Sequence, residues 1–583
     1  MLTQQKQPIV IPEVPDGFTL HTENNSHILL PSSKEAFLNP VQEFNRDLSV
    51  AFIKTWSEEL HNTKKAKWLL SKEKKSKKPQ KKRKREHAGF WAILFLDVPA
   101  ETSEAVNVAP PVEEITVPQR EYPHQKIVIL EALSATGLRS IRYAKEIPHV
   151  SYVLANDLSS AATAAMRRNI ELNGLGPLPP PSEGEAVPSS RRAEVRVNEG
   201  DACTLMYNRR EPMKRVDVVD LDPYGTAAPF IDAAVQCIKD DGLLCVTCTD
   251  LAVLATTNYT EKCFSNYGGL PVKTEYSHEV ALRLVLHSIS SSASRYGRYI
   301  EPLASLSIDF YVRLFIRIRS SPVEVKKAVT KTSTYWVCSY CQSFYGHPLG
   351  KVTENVHSSG AVNYHFKLQA GPPVMDKCPQ CDSALHMAGP MWSAPIHNPE
   401  FVGKVLGHLE TNEAQYGTAS RMKGMLTVAK EELPDAQFYF TPTKVAKFFH
   451  CVTPSFADVA SSLLHAGHRI SRSHATAGSV KTSATYTDIF NIYRSWIKLH
   501  PVKAANFSET SPAHRLLAKE PPTEANFTVH PDTNTYTSRV NLVRYQENPT
   551  SYWGPGSKAV SGTGTPAAGG AKRKHAEVEE AQE

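Results

Sequence analysis

Four acidic side chains, Glu131, Asp157, Asp201 and Asp222, stand where short apolar or β-branched runs stop. Ile127-Val-Ile-Leu runs into Glu131, Tyr152-Val-Leu-Ala-Asn into Asp157, Glu194-Val-Arg-Val-Asn-Glu-Gly into Asp201, and Val216-Asp-Val-Val-Asp-Leu into Asp222. Such runs read as strands, and the stretches between them, such as Ala161–Glu171 and Pro229–Ile238, read as helices. Strands alternating with helices specify a doubly wound, mostly parallel α/β sheet, in which all strand carboxyl ends share one edge. Four carboxylates on that edge make a ligand site. The last of them opens Asp222-Pro223-Tyr224-Gly225, where Pro and Gly end the strand and a carboxylate and an aromatic ring are presented together. That pair suits a planar base with an exocyclic amine: the ring stacks on it and the carboxylate accepts an N–H. An ordinary Asp-Pro turn is the plainer alternative.

A dinucleotide would need G-x-G-x-x-G after the first strand so that the backbone can approach a pyrophosphate. The loop here is Ser134-Ala-Thr-Gly137, with one glycine. A ligand without a pyrophosphate fits better. S-adenosylmethionine is such a ligand, with Asp157 on its ribose hydroxyls and Asp201 with the backbone of Ala202 on its adenine edge.

A second chemistry lies further on. Cys338-Ser-Tyr-Cys341 and Cys378-Pro-Gln-Cys381 are paired C-x-x-C knuckles, four thiolates able to converge on one tetrahedral zinc ion as a zinc ribbon. The spacing between pairs is longer than usual, which a β-hairpin insertion would absorb. Cys245 and Cys248 lie inside an expected core strand and read as core.

The elements that must position these groups begin with Asn39–Ile53, a turn leading into an amphipathic helix. Arg46 and Asp47 sit beside its apolar face, where solvated charges are the simplest reading. Lys64–Arg85 carries thirteen basic residues against the single acid Glu73, which leaves the remainder of this +7 chain net negative. Too like-charged to fold, it reads as a solvated insertion, about residues 62–120, containing a nuclear import signal at Lys81–Arg85. A Pro-rich loop occupies Gly176–Ser190. Glu275–His287 reads as a helix and Ile308–Ile318 as a strand whose Arg313, Arg317 and Arg319 share one face, toward solvent or RNA. The first domain is expected to span 1–322 and the second, α+β with the ribbon, 323–544. In the second, helices Thr443–His450 and Ser455–His465 and a strand at Gly467–Ile470 suggest a winged-helix-like module; a disordered tail follows over 545–583.

No run of eighteen apolar residues could span a bilayer, and the N-terminus carries neither a secretory nor an evident mitochondrial signal. Ten cysteines without a secretory signal argue for reduced thiols. A nuclear protein is expected, with a mitochondrial or cytoplasmic pool left open.

Glu131-Ala-Leu-Ser-Ala-Thr-Gly-Leu-Arg-Ser-Ile-Arg-Tyr-Ala, Ala155-Asn-Asp157, Asp220-Leu-Asp-Pro-Tyr-Gly225, Leu243-Leu-Cys-Val-Thr-Cys-Thr-Asp250 and Asn39-Pro-Val-Gln-Glu-Phe-Asn-Arg-Asp47 together resemble the tRNA guanine-26 N2-dimethyltransferases. The similarity is scattered from about residue 10 to 540. It implies a Rossmann-like class I S-adenosylmethionine-dependent methyltransferase domain acting on tRNA, with no obligate protein partner. It also implies that Arg46, Arg139, Asp157, Asp201 and Ala202 contact the cofactor, with Glu131 beside them, and that Asp222, Pro223 and Tyr224 form the catalytic turn. The basic insertion and the Pro-rich loop depart from the compact family core, outside the matched motifs. Two other readings stay open: an amino-methyltransferase on adenine or cytosine, and a non-catalytic zinc-ribbon protein that binds nucleic acid.

Overall fold

The computed structural model describes residues 14–32, 38–76, 122, 125–176, 193–371, 375–503 and 507–533. The import cluster Lys81–Arg85, the Pro-rich loop beyond Gly176 and the tail lie outside them.

A hairpin, β1 (Phe18–Glu23) and β2 (Ser26–Pro31), precedes the long helix α1 (Glu43–Ser76). The expected alternation follows: β3 (Ile127–Glu131), α2 (Leu138–Glu146), β4 (Val150–Asp157), α3 (Ser160–Leu172), β5 (Glu194–Glu199), α4 (Ala202–Tyr207), β6 (Val216–Leu221), α5 (Ala228–Cys237) and β7 (Ile238–Cys248). Short helices α6 (Leu251–Leu254) and α7 (Thr260–Tyr267) lead to α8 (Ser277–Ser294) and the strands β8 (Arg298–Ile308) and β9 (Tyr311–Ser320). The seven strands order β5-β4-β3-β6-β7-β9-β8, the first five parallel and β9 antiparallel to both its neighbours.

Two expectations need correcting. The strand expected from Ile308 starts at Tyr311, because Asp309, at φ 44°, and Phe310 make the turn of a β8–β9 hairpin. The first part of the basic run is not too like-charged to fold: Lys64–Ser76 is the last third of α1, helical though largely exposed. The helix is already nucleated by Phe44, Leu48, Phe52 and Trp56 in the core, so propagation costs little, and Lys, Glu, Ala and Leu favour it. Lys72 adds a cation–π contact over Trp68 at 4.0 Å.

One face of the sheet carries α1, α2 and α3 together with two helices from the second half, Pro399–Thr411 and Ala419–Glu431. The other carries α4, α5, α7 and α8. Packing therefore crosses residue 322 freely. Carboxylates of the first half also complete backbone hydrogen bonding in the second. Asp47 accepts from Thr418 N and Oγ1 (2.9 and 2.7 Å) at the start of Ala419–Glu431, and Glu275 accepts from Thr441 N and Oγ1 (2.9 and 2.7 Å) at the start of Pro442–Phe449. Helix N-termini leave such N–H groups without partners, and these acids supply them.

The second half holds a three-stranded sheet, β11 (Phe344–Pro348), β10 (Thr332–Cys338) and β14 (Leu385–Trp392), and a separate hairpin, β12 (Gly350–Val356) with β13 (Val362–Leu368). Helices Pro442–Phe449, Phe456–His465, Tyr486–Leu499 and Pro512–Leu517 pack around a third core shared with the four ribbon cysteines. Where a strand was expected at Gly467–Ile470 there is only a two-residue ladder, Ile470–Ser471 with Lys481–Thr482.

Candidate active site and metal centre

Glu131 and Asp157 end β3 and β4, while Asp201 and Asp222 follow β5 and β6 by one or two residues, all at the carboxyl edge. Asp157 is oriented by backbone N–H groups: Oδ2 accepts from Ala135 (3.0 Å) and Oδ1 from Ser159 (2.9 Å). Ala135 sits at φ 46° and Gly137 at φ 78°, and a Cβ on Gly137 would meet Met166 Cγ at 3.0 Å. One glycine thus suffices for this loop, where the chain must pass close over α3. Asp201 caps α4, accepting from Thr204 N at 2.7 Å, and Ala202 is buried behind it.

Asp222 is reached by the Arg139 guanidinium, which also donates to Ser49 Oγ (2.9 Å) and approaches Glu131 Oε1 (3.5 Å) and Asp220 Oδ2 (3.6 Å). Tyr224, next along, is 56% exposed at the edge. The turn is clasped to the end of β7: Gly225 N donates to Thr249 Oγ1 and Thr249 N to Gly225 O, both at 2.8 Å. The Tyr267 hydroxyl donates to Asp250 (2.9 Å) and lies 2.6 Å from Thr226 Oγ1, bracing the exit of the same turn.

Beneath this edge lies a layer the sequence reading did not identify. Asp220 is fully buried, bound by both Arg313 Nη atoms (2.8 and 2.9 Å) and by the Tyr143 hydroxyl. Arg313 also donates to Thr247 (2.9 Å) and to Ser49 (2.8 Å), so Ser49 joins the two arginines. The arginines hold Asp220 below the usual carboxylate range, whereas burial pushes Glu131 up to about 8. Arg313 is thus turned inward, neither solvated nor available to RNA; Arg317 and Arg319 pair with Glu59, Asp241 and Glu301.

The ribbon cysteines do converge. Their sulfurs lie within 4.8 Å of one another, Cys338 to Cys381 at 3.3 Å and Cys341 to Cys378 at 3.7 Å, and all four residues are buried. A tetrahedral ion with bonds of about 2.3 Å spaces its sulfurs at roughly 3.8 Å, so the set can hold zinc. The two knuckles match: Cys338 N donates to Ser343 O (2.9 Å) and Cys378 N to Ser383 O (2.8 Å), with Gln342 and Asp382 both at positive φ. The hairpin β12–β13 accounts for the long spacing between the pairs. Cys245 and Cys248 are buried in β7, away from this set.

A further cluster among the described residues, His397, Glu432 and His474, has its ligand atoms equally close. Backbone N–H groups of Ser305 and Ser307 donate to His397 Nδ1 (3.3 Å) and His474 Nε2 (3.0 Å), which places the imidazole protons on the nitrogens facing Glu432. Lys481 adds an ammonium 3.2 Å from the same carboxylate. Glu432 is thus shared by His474 Nδ1 at 2.8 Å, His397 Nε2 at 3.4 Å and Lys481.

Comparison with known proteins follows the same lines. The family model described as N2,N2-dimethylguanosine tRNA methyltransferase matches residues 17–494. The chain belongs to that family. It is 41% identical to the Mus musculus tRNA (guanine(26)-N(2))-dimethyltransferase over 93% of this chain and 77% of that one. To the Schizosaccharomyces pombe enzyme of the same name it is 40% identical over 92% of each. A Saccharomyces cerevisiae relative whose name adds "mitochondrial" is 36% identical over 93% of this chain and 92% of its own. Trm1 from Pyrococcus horikoshii, solved with S-adenosyl-L-methionine, shares the fold: TM-score 0.56 and 21% identity, covering 81% of this chain and 98% of that one. In this dimethyltransferase-family chain, Asp157, Asp201 and Asp222 share one edge of the sheet, and Arg46 is buried. Its guanidinium is taken by Glu23 of β1, inside a buried group with Arg142, Asp47 and Glu146. The solvated reading of Arg46 and Asp47 therefore fails, as both are buried. Arg139 reaches the edge at Asp222.

Proposed function

We propose that this chain transfers methyl groups from S-adenosylmethionine to the exocyclic amine of guanine 26 in tRNA, forming N2-methyl- and then N2,N2-dimethylguanosine. The observation that carries this reading is the clasped Asp222-Pro223-Tyr224-Gly225 turn, an acid beside an exposed ring, in a chain that matches the dimethyltransferase family over residues 17–494.

The edge suits the cofactor chemically. Asp157 would accept the ribose hydroxyls, since backbone contacts leave each of its oxygens a further acceptor position. Asp201, Ala202 and the Ala132–Gly137 loop would flank the rest. S-adenosylmethionine supplies an electrophilic sulfonium methyl when bound. The guanine amine is a poor nucleophile because its lone pair is delocalised into the ring, so alignment is the main contribution the protein can make. Asp222 would accept an N–H of the amine, hold its lone pair toward the methyl and receive its proton; Tyr224 would stack on the base, and Pro223 fixes their spacing. A base paired in a helix has to leave the stack to reach this edge.

Zinc in the four-cysteine set would be structural, as no position of a closed tetrahedral site is left for substrate. We further propose nuclear import through Lys81–Arg85, and a division into a catalytic part, 1–322, and an RNA-binding part, 323–544. No helix among the described residues is long and apolar enough to cross a membrane.

The test is mass spectrometry of nucleosides from tRNA incubated with the protein and labelled S-adenosylmethionine. Label in N2-methyl- and N2,N2-dimethylguanosine is expected. Label in adenosine or cytidine would move the assignment to the other amino-methyltransferases. Cofactor binding without transfer to any tRNA would leave the non-catalytic reading.

A further inference from the structure

The β12–β13 hairpin that separates the two knuckles is two-faced. Its register pairs Val352 with Phe366, Glu354 with Tyr364 and Val356 with Val362 on one side, and Lys351 with Lys367, Thr353 with His365 and Asn355 with Asn363 on the other. On the first side Val352, Tyr364 and Phe366 are half-buried, and Lys327 of the body lies 4.9 Å over the Tyr364 ring. On the second side all six residues are exposed, and none is acidic. Among the described residues neither Lys351 nor Lys367 has an ion-pair partner.

Like charges directly opposite one another across two strands are destabilising. The hairpin sets two lysines so, with a histidine on the next pair and only amide and hydroxyl groups beyond. The pattern suits a regular polyanion: ammonium groups for phosphate oxygens, Asn and Thr for phosphate and ribose hydroxyls.

We infer that this face of the β12–β13 hairpin is a tRNA backbone contact, made chiefly by Lys351 and Lys367 and extended by His365, Asn355 and Asn363. This rests on the tRNA reading above and adds a place and a chemistry to it. Because the contact is to backbone, it raises affinity and fixes orientation without reading bases.

The discriminating variant is Lys351→Glu. Placed opposite Lys367 it turns a repulsive cross-strand pair into an attractive one, so the full-length protein should melt no lower than the parent. tRNA binding should nevertheless weaken, about 5- to 50-fold in fluorescence anisotropy at fixed moderate salt. Lys351→Gln with Lys367→Gln should flatten the dependence of log Kd on log salt by roughly 1.4–1.8, two counterion-releasing contacts at about 0.7–0.9 each. S-adenosylmethionine affinity should not change in either variant. Unchanged tRNA affinity and salt slope would overturn the assignment, as would weakening that tracked a lowered melting temperature. Binding is read without turnover, so loss of the hairpin contact and failure of the methylation reading are separate results.

Discussion

Two layers of carboxylates meet at the carboxyl edge of the sheet, and they are held in opposite ways. Asp157 and Asp201, the outer pair, face backbone N–H groups and have no Lys or Arg within ion-pair distance among the described residues. Glu131 and Asp220, the inner pair, are buried among Arg139, Arg313, Tyr143 and Ser140. Asp222 belongs to both, exposed by 23% yet bound to Arg139. Backbone donors orient a carboxylate and leave it capacity for a ligand; guanidinium partners fill it. The inner layer also closes its charge. Arg139 and Arg313 balance Asp220 and Asp222, and burial raises the pKa of the fifth ionisable group, Glu131.

If that division is right, substitutions in the two layers should fail differently. Asp222→Asn keeps an acceptor but loses the charge and the capacity to take a proton. Single-turnover methylation of one tRNA should slow about 10²–10⁴-fold, the usual share of general-base action, with S-adenosylmethionine affinity within a few fold of the parent. Near-parental chemistry would place the centre on another strand end. Asp220→Ala is expected to do the reverse. It leaves Arg313 and Arg139 buried without their shared acid, an error of about 3–5 kcal/mol, so the protein should unfold in markedly less denaturant or not accumulate. A stable Asp220→Ala protein with lost activity alone would erase the distinction between the layers.

Asp157→Ala sharpens the outer half of the comparison. Charge-assisted hydrogen bonds are worth about 1.5–3 kcal/mol each, so loss of even one to the ribose should lower cofactor affinity measured by calorimetry at least roughly 10- to 150-fold. Folding should suffer less, since the two N–H groups left behind lie in a surface loop. Equal cofactor affinity in the parent and the variant would remove Asp157 from the ribose.

The outer layer was legible in the sequence because it depends on local signals: strands ending in acids, a Pro-Gly stop, a one-glycine loop. The knuckles and their intervening hairpin were legible for the same reason. Of the inner layer only Glu131, itself at a strand end, was. Asp220 sits in Val-Val-Asp-Leu-Asp, where strand alternation says only that it faces Asp222's side, and its partner Arg313 is 93 residues away. Nothing local distinguishes Arg313 from Arg319, yet one is buried and the other 37% exposed. The burial of Arg46 was not legible either, since its partner Glu23 lies 23 residues away on the β1–β2 hairpin. The continuation of α1 through Lys64–Ser76 was missed by weighing charge repulsion over a helix already nucleated in the core.

The smallest expected readout tests the charge balance itself. Glu131 has its pKa raised by burial, from the ordinary value of 4.5 to about 8. Between those values the native state holds a proton that the unfolded chain has released, so stability falls as pH rises. The contribution is whole below about pH 4.5 and gone once pH has passed through about 8. Glu131→Gln keeps an acceptor for the Ser140 hydroxyl but cannot titrate. Its melting temperature relative to the parent should therefore rise between pH 5.5 and 8.5. One kcal/mol moves a domain of 150–250 residues by roughly 2–4 °C and a larger cooperative unit by less, so a relative gain of a few degrees is expected. Glu275, raised to about 7 by burial at the Thr441 cap, drifts in the same direction but does so equally in both proteins and cancels in the difference. A difference that stayed flat, or that fell with pH, would mean that Glu131 is ionised in the native protein and that the inner layer carries a net negative charge.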